Sequence, residues 1–128
     1  MVKEEVFPNS KRKFRRVTLE LRADSQILLP DAEPEWFFPN IKSIGGGGLT
    51  FDFPAPFPVG TELKMRVYYY TDEIDLTGKV VWTNRIGEMR VCVFKSGLEF
   101  TKISEQNLAR INHIIDIHLG NSGNRSRT

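Results

Sequence analysis

The chain has 128 residues and one cysteine, Cys92, which excludes an internal disulfide framework and a cysteine-based metal cluster. Its two histidines, His113 and His118, are five positions apart. On a helix they would point about 140° apart and would not share a metal as an i, i+4 pair does. The reading for both is a surface or helix-end histidine. No apolar run approaches the roughly 20 residues that span a bilayer. The opening MVKEEVFPNS has no apolar segment of the kind a secretory signal carries. No GxSxG, HExxH or Walker sequence occurs, so the usual starting points for an enzyme are missing. The expectation is a cytoplasmic, non-enzymatic domain without membrane insertion, cofactor or metal.

With 40% hydrophobic and 27% charged residues the chain is neither disordered nor fibrous. A chain of this length buries about two-thirds of its unfolded surface, enough for a core without staples. The net charge of +2 is unevenly spread. Residues 1–16 carry +4, residues 17–118 carry −4 and residues 119–128 carry +2. A generally basic surface, as a nonspecific duplex-DNA binder would carry, is therefore absent, and no specific DNA partner is expected. The positive charge gathers in Lys11-Arg12-Lys13-Phe14-Arg15-Arg16, a run that attracts phosphate or another anionic surface.

The body alternates with period two. Val17, Leu19 and Leu21 mark a first strand, and a short strand over 36–43 is anchored by Trp36 and Ile41. Leu49, Phe51 and Phe53 mark a third strand, after Gly45-Gly46-Gly47-Gly48. Pro54, Pro56, Pro58 and Gly60 form a stiff connection. Leu63, Met65, Val67 and Tyr69 face inward on the next strand, and Ile74, Leu76, Gly78, Val80 and Trp82 on the one after. Asp72, Glu73 and Asp75 read as a solvated cluster between them. Asn84-Arg85-Ile86-Gly87 reads as a hairpin turn. Residues 89–100 form a last long strand, bulged near Ser96-Gly97, with Cys92 as a small core residue within it. Six strands with regular turns predict a six-stranded antiparallel β-barrel, an all-β fold. Ser104 is a candidate N-cap for a C-terminal helix with Leu108, Ile111, Ile114 and Ile115 on one stripe and Gly120 at its end. The organisation expected is a flexible lead at 1–10, the barrel and helix at 11–119, and a disordered tail at 120–128.

Arg12 and Arg16 are spaced RxxxR ahead of the first strand. An arginine fork fits a phosphate, or the O6/N7 edge of guanine, in bidentate fashion, and its plane stacks on a base. The four glycines read as a flexible turn or as a nest of backbone N–H groups open to an anion.

In order, Lys11-Arg12-x-x-x-Arg16, the Ser43-x-Gly45-x-x-Gly48 turn, Gly78-Lys79-Val80-Val81-Trp82 and Gly97-Leu98-Glu99-Phe100 before a C-terminal helix resemble a PilZ domain, the bacterial receptor module for cyclic di-GMP. The likeness covers about residues 11–117. It implies a six-stranded barrel with a C-terminal α-helix, and a ligand gripped by an RxxxR arm and a [D/N]xSxxG turn. Carried over, Lys11, Arg12 and Arg16 form the arm. Ser43 stands at the Asp/Asn position, Gly45 at the Ser position and Gly48 at the Gly position. A lost charged hydrogen bond costs roughly 1.5–3 kcal/mol and a lost hydroxyl bond about 0.5–1.5, so the altered turn lowers affinity ten-fold or more unless backbone donors compensate. The resemblance implies a cyclic di-GMP receptor whose arm folds over the ligand to regulate a protein effector, in motility or biofilm behaviour. The alternative is a PilZ-like adaptor that binds no nucleotide and acts by protein contact, with Trp36, Phe37, Phe38 and Tyr68–Tyr70 as an exposed patch.

Overall fold

The computed structural model describes residues 15–31, 33, 35–87 and 90–120. The expected lead, Lys11, Arg12 and the tail beyond Gly120 lie outside the described residues. Among the described residues there are seven strands: β1 (Arg16–Ile27), β2 (Trp36–Phe37), β3 (Asn40–Gly45), β4 (Gly48–Phe53), β5 (Glu62–Tyr69), β6 (Asp72–Arg85) and β7 (Phe94–Ile103). They pair antiparallel in the order β2-β1-β3-β4-β7-β6-β5, and β5 pairs back onto β1. Six strands thereby close an antiparallel barrel, and β2 is a two-residue addition on the end of β1.

The barrel closes because each strand buries one face. Val17, Ile41, Ile44, Leu49, Phe51, Leu63, Met65, Val67, Ile74, Leu76, Val80 and Leu98 meet inside it. Burying a side chain of this kind is worth about 1.5–3 kcal/mol. The helix α1 (Glu105–Ile115) plugs one end with Ile111, Ile114 and Ile115. Ser104 caps it as expected, accepting from the Asn107 N–H at 3.0 Å. A π-helical turn, Asp116–Gly120, continues α1 where a simple glycine stop was expected. Asn107 also donates to the Asp75 carbonyl at 3.0 Å, and Arg15 pairs with Asp116 at 2.6 Å. The helix therefore sits at the barrel end where β1 begins.

Several expectations fail for identifiable reasons. The strand over 36–43 is split into β2 and β3, because Pro39 has no N–H to donate to a ladder. Trp36 is no core anchor: it is 55% exposed, whereas Ile41 is fully buried. The last strand begins at Phe94 rather than 89, so Cys92 lies outside it and is exposed. The irregularity expected near Ser96-Gly97 falls on the neighbouring strand β6. Val80 pairs with Leu98 and Trp82 with Gly97, which leaves Val81 as the extra residue. One extra residue reverses the face of every position beyond it. Trp82, expected inward, points outward. Asp75 and Glu73 are not merely solvated, since both hold Arg66, at 2.7 and 3.4 Å.

Candidate functional site

The β3–β4 hairpin sets the site. Ile44 and Leu49 are register partners and both point into the core, so the next pair, Ser43 and Thr50, faces outward. The same parity continues sideways. Thr18 pairs with Ser43, Thr50 with Gly97, and Gly97 with Trp82. Thr18, Ser43, Thr50, Gly97 and Trp82 thus form one outward row across five strands, roughly 19 Å long at the usual strand spacing.

The row has a shallow, polar floor. Ser43 and Thr50 are only 9% and 7% exposed although they face outward, because their short side chains sit low on the sheet. Their hydroxyls share a hydrogen bond of 2.7 Å. Two hydroxyls joined by one bond keep one donor and several lone pairs for another molecule. At the end of the row the Trp82 indole covers Gly97: Nε1, Cε2 and Cδ1 occupy the space where a Cβ would stand. Only glycine lets the ring lie down on the strand there.

Arg16 lies one step toward the glycine turn. It pairs with Gly45, and its Nε and Cβ are each 3.5 Å from the place of a Gly45 Cβ. Any larger residue at 45 would also press on the Arg15 carbonyl at 2.8 Å. The Arg16 guanidinium forms no hydrogen bond or ion pair among the described residues. Gly48 pairs with Glu99, and a Cβ at 48 would overlap the Leu98 carbonyl, so glycine is required there by strand packing. Of the six residues expected at the site, Arg16, Ser43, Gly45 and Gly48 share this outer face of β1, β3 and β4. Lys11 and Arg12 lie outside the described residues.

Two contributors escaped sequence reasoning. Strict alternation places Trp82 inward, and the one hint of the flip in the sequence is the bulge expected near Ser96-Gly97, opposite it. Arg15 belongs to the basic run, but its pairing with Asp116, more than a hundred positions away, has no local signal. That bridge ties the root of the arm to the end of α1. Both side chains are more than half exposed, so it contributes at most about 1 kcal/mol.

The opposite wall of the barrel is chemically different. Arg66 donates to Asp75 through Nε at 2.7 Å and Nη2 at 3.2 Å. The Arg66 hydrogen bond holds the Asp75 carboxyl below its usual range. Tyr68 donates to Asp24 at 2.5 Å, which raises the phenol's pKa. These groups satisfy one another. Among the described residues no cluster of three potential ligands could hold a metal ion, and no helix is long and apolar enough to cross a membrane.

The sequence model of the PilZ domain matches residues 10–116, and the chain belongs to the PilZ domain family. Solved structures share the fold. The inhibitor of motility MotI/DgrA of Bacillus subtilis superposes with a TM-score of 0.68 at 19% identity, covering 86% of this chain and 52% of that one. The PilZ domain of YcgR from Escherichia coli, solved with cyclic di-GMP, gives 0.62 at 11% identity over 91% and 97%. The K. pneumonia MrkH complex with cyclic di-GMP gives 0.69 at 18% identity over 88% and 55%. The chain spans about half the length of MotI and MrkH. No curated protein sequence matches it.

Proposed function

We propose that this chain is a cyclic di-GMP receptor domain. The observation that carries the reading is the placement of Arg16, unpaired among the described residues, against Gly45, beside an outward row of hydroxyls that ends on a tryptophan. An arginine without an acidic partner, set over a glycine backbone, is a ready clamp for phosphate. Arg12 would join it from the preceding arm, and Lys11 would add charge. Ser43 would accept from a guanine edge in place of the longer acidic or amide side chain of the family pattern, with Thr50 steadying its hydroxyl. Gly45 and Gly48 would leave the turn clear of side chains. The Trp82 face would stack a base, a contact worth about 1–3 kcal/mol. The nucleotide-bound YcgR and MrkH structures on the same fold support this ligand class.

In this reading the domain binds and does not catalyse. The arm orders over the ligand, and the changed surface regulates an effector. Titration calorimetry with cyclic di-GMP at low salt tests it, followed by amide chemical shifts. Binding in the micromolar range with shifts at Thr18, Gly45–Gly48 and Thr50 is the expected result. The absence of heat at high-micromolar nucleotide overturns the proposal and leaves the adaptor alternative.

A further inference from the structure

At the barrel end opposite α1, the close of β1, the strand β2 and the β4–β5 connection enclose a groove of about 950 Å³. Its floor is aromatic. Phe37 lies edge-on to Phe53 at 4.9 Å and tilted on Phe57 at 5.1 Å between ring centres. Its walls are apolar and open to solvent: Leu29 is 57% and Trp36 55% exposed. A cluster of large apolar side chains left in water on a small domain marks an interaction surface.

The charge around the groove narrows the choice of occupant. The charged residues lining it are Glu35 and Glu62, and no lysine, arginine or histidine among the described residues does so. Asp31 and Glu33 are exposed on the adjoining loop. None of the four carboxylates forms an ion pair among the described residues, although Lys79 stands opposite Glu62 across β5 and β6. An acidic rim repels an anionic lipid surface. It also repels the same rim of a second copy, which a two-fold dimer through this face would bring against it.

We propose that this groove docks a segment of a partner protein with two or three apolar anchors flanked by lysine or arginine. The anchors would enter between Trp36 and Leu29 onto the phenylalanine floor, and the basic flanks would meet Glu35, Glu62 and the loop acids. The groove lies at the far end of β1 from Arg16, on the order of 35 Å along the strand. It extends the receptor reading by supplying an output surface, but it is scored without nucleotide, so either can fail alone.

The test is selection of a random 12-residue peptide library on the immobilised chain, counter-selected on Trp36→Ala. Enriched peptides should pair apolar anchors with flanking Lys or Arg. They should bind ten-fold or more weakly to Trp36→Ala and to Leu29→Asp, both exposed positions where the fold should persist by circular dichroism. The double variant Glu35→Lys/Glu62→Lys should also lose affinity, and with it the dependence on salt. Enrichment insensitive to these variants, or for neutral or acidic flanks, overturns the proposal. So does a synthetic peptide of residues 1–14 that binds the groove as tightly as the selected ones, since the occupant would then be the chain's own arm.

Discussion

The β3–β4 and β5–β6 hairpins both reverse through two residues, Gly46–Gly47 in one and Tyr70–Thr71 in the other, and an arginine lies on the outer face at each, Arg16 from the neighbouring β1 and Arg66 from β5 itself. At β5–β6 the arginine is consumed: Arg66 is gripped by Asp75 and Glu73, and Tyr68 by Asp24. At β3–β4 Arg16 rests on Gly45, with no acid among the described residues paired to it. Charge already met by its neighbours belongs to the scaffold, whereas charge over bare backbone with no acid paired to it among the described residues is what the proposed receptor reading uses. The residue type does not distinguish the two sites. What surrounds it does.

The largest expected effect tests that contrast directly. Arg16→Ala should weaken cyclic di-GMP binding by 100-fold or more, about 3 kcal/mol for two charge-assisted hydrogen bonds. Calorimetry should find the loss while the melting temperature holds, because Arg16 is exposed. Arg66→Ala is the matched control and should leave affinity unchanged. If both variants lose binding alike, the contrast between the hairpins fails.

Gly48→Ala comes next. A methyl there meets the Leu98 carbonyl, and crowding of this kind costs about 1–3 kcal/mol of stability, measurable by urea unfolding. An unchanged midpoint would mean that the turn glycine serves ligand access alone. Ser43→Asp restores the family's acidic residue and should tighten nucleotide binding about ten-fold, with some loss of thermal stability because Ser43 is nearly buried. Tyr70 adopts φ 54°, in the left-handed region that glycine tolerates better. Tyr70→Gly should therefore stabilise the second hairpin by up to about 1 kcal/mol without touching affinity.

The smallest effect is on pH dependence. Arg66 holds the Asp75 carboxyl below its unfolded value, so that contribution is present above the ordinary carboxylate range and fades as pH falls through the lowered value. Both partners are about half exposed, so the effect is small. Asp75→Asn should narrow the stability gap between pH 6 and pH 3 in urea titrations.

The family, the barrel and the capped helix were readable from the chain because their signals are local. Period-two alternation in Leu63–Val67 and Ile74–Val80 places side chains on one face, Ser104 caps its own helix, and four glycines force a turn. Local rules failed where a single residue changed the count. Pro39 broke one strand in two, and the bulge at Val81 turned Trp82 from the core to the surface.

Sequence alone determined that six strands would close around an aliphatic interior and that positive charge would gather at the head of the first of them. Periodicity dictates the first, and charge concentrated in a few adjacent residues the second. Only the tertiary structure decided that Arg16 lies on Gly45, that Ser43 bonds Thr50, that Arg66 is already satisfied and that an acidic, apolar groove opens at the far rim. The Arg16–Gly45 approach and the groove depend on strands far apart in the chain being brought into one register, and the Ser43–Thr50 and Arg66–Asp75 contacts, although seven and nine positions apart, depend on the exact register and side-chain geometry of their hairpins, which alternation alone does not specify.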